Sequence, residues 1–159
     1  MEFNFVYVLQ KAIKGRALAD FLADHPSPEI ESLVFDELDS AAIFMTPWTL
    51  IFDGSSTNEG SGAGIVLISP TRNQISFSFF LDFRCSNNQA EYEALIIGLK
   101  ILLEMAVKDV HIMGDSSLVI NQISEDFRCL NWQLRPFHLM ATQLVNQFHN
   151  VTLEYCDTP

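Results

Sequence analysis

Cations are scarce in this sequence. Nine Lys and Arg stand against 20 Asp and Glu, a net charge of -11 over 159 residues, so there is little from which to build the basic face of a polyanion binder. The deficit is not local: residues 1–47 carry 3 basic and 8 acidic side chains, and residues 48–159 carry 6 and 12. Any work on a charged polymer would need bound divalent cations or a neighbouring domain to supply positive charge. Cysteine is scarce too. Cys85, Cys129 and Cys156 are odd in number, widely spaced and without a C-x-x-C pair, which argues against a disulfide framework or a zinc site. That usage implies a reducing, intracellular setting, cytoplasmic or nuclear. Long apolar runs are absent: Phe5 to Leu9 is too short for a signal peptide or a membrane span, and no basic stretch precedes it. No membrane partner is expected.

What is present is enough apolar side chain, 48%, to bury one ordinary core. Residues 1–47 read as a tether. Ile13, Ala17, Leu18, Phe21 and Leu22 fall near helical spacing and predict a short helix from about Arg16. Between Asp24 and Asp39 come six acids, no cation, and Pro26 and Pro28, a solvated acidic linker.

From Trp48 to Pro159 the pattern is that of one α/β domain. Trp48 to Phe52 is an apolar run suited to a covered strand ending at Asp53. Ala63 to Ile68 is a second strand. After the turn Ser69 to Asn73 comes a third, in which Ile75, Phe77, Phe79 and Leu81 alternate with Ser76, Ser78 and Phe80. Short connections make these an antiparallel meander. Asn88 reads as the N-cap of a long helix to about Met105, Val110 to Met113 as a fourth strand reached by a crossover, and Val151 to Tyr155 as a fifth. Helices are expected after Asp115 and from Pro136, the latter with Phe137, Met140, Ala141, Leu144, Val145 and Phe148 on one stripe.

Three acidic signatures fall at the predicted element ends: Asp53-Gly54-Ser55-Ser56, Asn87-Asn88-Gln89-Ala90-Glu91-Tyr92-Glu93-Ala94, and Gly114-Asp115-Ser116-Ser117-Leu118-Val119. Each acid has an ordinary local explanation. Asp53 before Gly54 can be a turn aspartate, Glu91 three residues after Asn88 can belong to a capping interaction, and Asp115 can cap the next helix. Taken together they converge differently: strands one and four can be neighbours with the long helix beginning beside them. Three carboxylates at one sheet edge repel unless hard divalent cations sit between them, which points to Mg²⁺ chemistry on phosphate. His25, His111, His138 and His149 are scattered without partners at metal spacing. Trp48 and Trp132 read as core aromatics.

The same residues resemble a type 1 ribonuclease H domain, and more closely the one in pol polyproteins of plant gypsy-type retrotransposons, the setting of a reverse transcriptase. The resemblance covers Trp48 to Pro159, adding the Gly60 to Gly64 stretch, Leu81-Asp82-Phe83 and Ile120-Asn121-Gln122 to the three signatures. Lys11 to Pro26 resembles the tether that precedes such a domain. The implied fold is ribonuclease H-like, a five-stranded mixed sheet of three antiparallel and two parallel strands with helices on both faces. The implied activity is endonucleolytic cleavage of the RNA strand of an RNA/DNA hybrid, with Asp53, Glu91 and Asp115 as catalytic residues and ligands of two Mg²⁺ ions that Mn²⁺ can replace.

Gly54, Ser55, Asn88 and Ser117 match nucleic-acid-contacting positions, although many members carry glutamine where this chain has Ser117. The family pattern continues past the fifth strand to a helix with a fourth acid. Here the C-terminal helix is expected to be missing, and activity impaired. Asp157 is not at the matching place, and Asp20 resembles the fourth acid of a preceding domain. The alternative expectation is a catalytically inactive fragment of a retroelement that serves nucleic-acid or protein interaction beside a polyprotein neighbour.

Overall fold

The computed structural model describes residues 46–157 and the strand formed by residues 7–9. The expected tether helix, the acidic linker and Asp20 lie outside the described residues. The elements are β1 (Tyr7–Leu9), β2 (Trp48–Ser56), β3 (Ser61–Ile68), β4 (Gln74–Leu81), α1 (Asn87–Glu104), β5 (Asp109–Gly114), α2 (Ser117–Ile123), α3 (Arg135–Val145) and β6 (Asn150–Tyr155).

The five expected strands are all there, in one mixed sheet of order β1-β4-β3-β2-β5-β6. Strands β2, β3 and β4 form the antiparallel meander, and β5 and β6 add parallel to β2. The short β1, which the sequence did not suggest, pairs antiparallel with the outer edge of β4. The first domain strand also runs past its expected end at Asp53, because the small residues Gly62 and Gly64 let the β2–β3 ladder continue to Ser56 opposite Ser61. Asp53 is therefore inside a strand, opposite Gly64.

Period-2 alternation decides which residues fill the core. Leu50 and Phe52 on β2, Ala63, Ile65 and Leu67 on β3, Phe77, Phe79 and Leu81 on β4, and Val110 and Ile112 on β5 all turn to one face and are buried. Helix α1 lies on that face. It is buried on most of its circumference, from Ala90 to Leu102, because β2 and β3 lie beneath it and α3 above. Gly98 allows the close approach: a β-carbon there would run into the Leu50 side chain. Helix α2 completes this layer against α1, α3 and β6. The three described helices pack against one another. Among the described residues no helix is long and apolar enough to cross a membrane.

Two local expectations change. The N-cap of α1 is Ser86, two residues before Asn88: its hydroxyl accepts from the Gln89 N–H at 3.2 Å while Gln89 Oε1 accepts from the Ser86 N–H at 2.8 Å, a complete capping box. Trp132, expected in the core, is 74% exposed in the turn before α3, beside the exposed Leu130.

Candidate active site

The parallel pairing of β2 with β5 sets Phe52 against Gly114, which brings the next residue of each strand to the same end of the sheet. Asp53 and Asp115 are those residues. Glu91 comes from the first turns of α1, which descends onto β2 at Gly54. A β-carbon at residue 54 would collide with the backbone of Ala90 and Glu91, so only glycine permits that seating. The Gly54 N–H then donates to Glu91 Oε2 at 3.0 Å and fixes the carboxylate over the strand.

Both helix-capping explanations of the acids fail for the same reason: a neighbour does the capping. Gln89 and Ser86 close the box on α1, so Glu91 is not needed there. Ser116 caps α2, its hydroxyl accepting from the Val119 N–H at 3.3 Å, which leaves Asp115 outside the helix. Asp53 sits in a ladder, not a turn. The three side chains meet instead. Asp53, Glu91 and Asp115 each offer an oxygen, and these atoms lie within 4.8 Å of one another.

The electrostatics follow from burial. Glu91 is 5% exposed, and its pKa is pushed up to about 7, chiefly by burial, against the Gly54 N–H, with the charges of Asp115 and Asp53 adding to the rise. Asp53 also rises, from burial first and then the Asp115 charge, with the Gly54 N–H opposing. A cluster of three hard oxygen donors, one of them held up by burial, fits a divalent cation in ligand type and in charge.

The remaining sequence candidates ring this cluster with unequal access. Ser55 and Ser117 are exposed and Asn88 is half-buried, whereas Gly54 is buried under α1 with its N–H given to Glu91. Asp157 is not one of the three clustered carboxylates; its Oδ1 lies 3.4 Å from the Tyr155 hydroxyl. His111 bonds Thr152 and Glu154 across β5 and β6, and His138 Nε2 lies 3.0 Å from the Gln122 carbonyl. Sequence reasoning missed Ser86, Gln89 and Ser116, although Ser86-x-x-Gln89 carries the capping-box pattern. It also missed Tyr92 and Gln122, whose buried side chains bond at 2.6 Å. Beside the carboxylate end, a cleft of about 690 Å³ opens between the β2–β3 hairpin and the loop before α1, lined by Ser56, Asn58, Asp82 and Arg84 among others.

Known proteins resemble this chain. A ribonuclease HI of Halobacterium salinarum is 32% identical over 106 residues, 65% of this chain and 53% of that protein. The chain thus spans about half the length of this curated relative. The crystal structure of the ribonuclease H1 of Halobacterium salinarum superposes with a TM-score of 0.65 at 27% identity, covering 70% of this chain and 86% of that one. A ribonuclease H1 named LC11, solved in complex with an RNA/DNA hybrid, superposes at 0.58 with 20% identity over 69% and 84% of the two chains, a likeness of fold. The fold is ribonuclease H-like. Residues 51–157 match the family described as reverse transcriptase-like, and the chain belongs to that family.

Proposed function

We propose that this chain hydrolyses the RNA strand of an RNA/DNA hybrid at Asp53, Glu91 and Asp115. The observation that carries the reading is the convergence of those three carboxylates from β2, α1 and the end of β5 within 4.8 Å. Two Mg²⁺ ions held by the three acids, or Mn²⁺ in their place, would supply acidification of a water and charge neutralisation at the departing oxygen. The protein's own part is to hold the oxygens in place. Gly54 aims Glu91 through its N–H. The strand ladder fixes Asp53, and the Ser116 cap starts α2 directly after Asp115. Ser55 and Ser117, exposed on the rim, with Asn88 beside Glu91, supply short donors and acceptors suited to 2′-hydroxyls.

The charge deficit of the sequence is met in part by position. Arg84 is exposed in the loop that enters α1, and Arg135 is exposed at the start of α3. The turn before α3 reaches the first turn of α1, where Gln89 Nε2 lies 3.5 Å from the Gln133 carbonyl. Both arginines are available to phosphates. The solved complex of LC11 ribonuclease H1 with an RNA/DNA hybrid supports the same class of ligand for this fold. The gypsy-type signatures and the tether-like segment Lys11 to Pro26 favour a retroelement polyprotein as the source, with a reverse transcriptase as neighbour.

The test is cleavage of a labelled RNA/DNA hybrid by the full chain in Mg²⁺ and in Mn²⁺. Wild type is expected to cut the RNA strand only, and Asp53→Asn to lose at least about a hundredfold of the rate, as when a group stabilising developing charge is removed. A folded wild type that cuts no hybrid at any concentration of either metal overturns the reading in favour of an inactive interaction module.

A further inference from the structure

We infer that the buried hydrogen bond between Tyr92 and Gln122 is a positioning contact that sets the distance between the Glu91 and Asp115 carboxylates, and so the cation affinity of the site. The inference rests on the proposed site. Tyr92 directly follows Glu91 on α1, and its hydroxyl donates to Gln122 Oε1 at 2.6 Å. Gln122 lies on α2, the helix that begins just after Asp115. Tyr92 is 0% and Gln122 4% exposed, so solvent cannot take the place of either partner.

A second grip on the same residue comes from α3. The Gln122 carbonyl, 3.0 Å from His138 Nε2, can accept from that nitrogen, and the His138 ring meets the Tyr92 ring edge-on, with centroids 6.4 Å apart at 88°. Helix α2 thus has its side chain tied to α1 and its main chain to α3. It needs such ties: it is 7 residues long, and its other buried side chains, Val119, Ile120 and Ile123, are aliphatic. Aliphatic contacts tolerate sliding and repacking, whereas a short hydrogen bond in a dry interior tolerates little displacement. A slip of α2 along α1 would carry Asp115 away from Glu91.

Stability alone explains the pair poorly. A buried hydrogen bond contributes on the order of 1 kcal/mol net, and replacing both partners by apolar groups of similar shape is close to neutral. Orphaning one partner is what destabilises. That asymmetry separates a positioning role from a structural one, because a double replacement restores stability without restoring the tie.

The experiment compares wild type, Tyr92→Phe and Tyr92→Phe/Gln122→Met in the full chain, measuring the melting temperature without metal, Mn²⁺ binding by calorimetry, and hybrid cleavage. The single variant is expected to melt below wild type, and the double to recover most of that loss. Both are expected to bind Mn²⁺ about tenfold more weakly, the usual penalty for removing a group that orients metal ligands. Cleavage should then need correspondingly more Mn²⁺, with the KM for hybrid unchanged. A double variant that binds Mn²⁺ as tightly as wild type, or that does not fold, makes the pair structural and overturns the assignment. If wild type binds no Mn²⁺, the site itself falls, and the inference with it. Wild-type binding with unaltered affinity in the variants rejects the inference alone.

Discussion

The two halves of the sheet are built by different means. From β2 toward β4 the strands are antiparallel, joined by short turns, and their register follows from alternation between Phe77, Phe79 and Leu81 on one face and Ser76 and Ser78 on the other. From β2 toward β6 the pairing is parallel, and each strand is reached only after helices have crossed the sheet. The antiparallel half is local and carries one acid, Asp53. Beyond it, the first crossover delivers Glu91 on its helix and Asp115 at the end of its strand. The carboxylates gather where the two pairing modes meet at the end of β2, a place where parallel strand ends leave an open edge for ligands. The local half holds the reference point, and the non-local half closes the site upon it.

The contact on which that closure depends most is Gly54, where α1 rests on β2. Gly54→Ala should be the most damaging small substitution in the domain. Its methyl group would strike the backbone of Ala90 and Glu91, and a backbone cannot rotate away as a side chain can. Displacing α1 should cost about 3 kcal/mol or more, at the upper end of overpacking effects. It should also abolish cleavage, since the Gly54 N–H would no longer meet Glu91. Gly98→Ala provides the control: the same added methyl meets the flexible end of Leu50, so it should lower the melting temperature less and leave activity in place. Equal effects of the two variants in thermal unfolding and hybrid cleavage would show that the junction is not special.

How much of this was readable in the sequence divides along the same line. The antiparallel strands, α1, the crossover to β5 and the three acids are all signalled by runs, periods and turn residues that act over a few positions. The extension of β2 to Ser56 was not, because it depends on glycines of the partner strand, Gly62 and Gly64, that only pairing brings opposite. The sequence does not single out Ser86 as the N-cap because serine and asparagine both cap well, and only the reciprocal bond with Gln89 separates it from Asn88. Trp132 was assigned to the core from its apolar bulk, but the turn before α3 presents it to solvent. The Tyr92–Gln122 bond spans 30 positions, and no local pattern signals it.

A weaker perturbation sharpens the comparison by titrating the acid that the non-local half contributes. Burial raises Glu91 to about 7 from 4.5, so between those values the folded, metal-free chain holds a proton that the unfolded chain has released. Stability should therefore fall as pH rises from 4.5 to about 7 and level off above, a loss of at most a few kcal/mol. Glu91→Gln should flatten that slope in denaturant titrations at pH 5 and pH 8. Cation binding needs the carboxylate, so Mn²⁺ affinity should climb over the same interval and each binding event below pH 7 should release a proton. An unchanged pH slope in Glu91→Gln would assign the effect to other groups.

The smallest expected effect tests whether the start of α1 serves the fold or the site. Ser86→Ala removes the hydroxyl that accepts from the Gln89 N–H and leaves the reverse bond, from the Ser86 N–H to Gln89 Oε1, in place. Loss of a cap costs about 1 kcal/mol. Because Gly54 clamps Glu91 independently of the cap, that loss should appear in unfolding while Mn²⁺ affinity and hybrid cleavage stay within about twofold of wild type, well under the factor of ten that 1.4 kcal/mol at the site would give. A larger fall in affinity would mean that fraying of the first turn reaches Glu91, and that the capping box, not the Gly54 junction, sets the carboxylate.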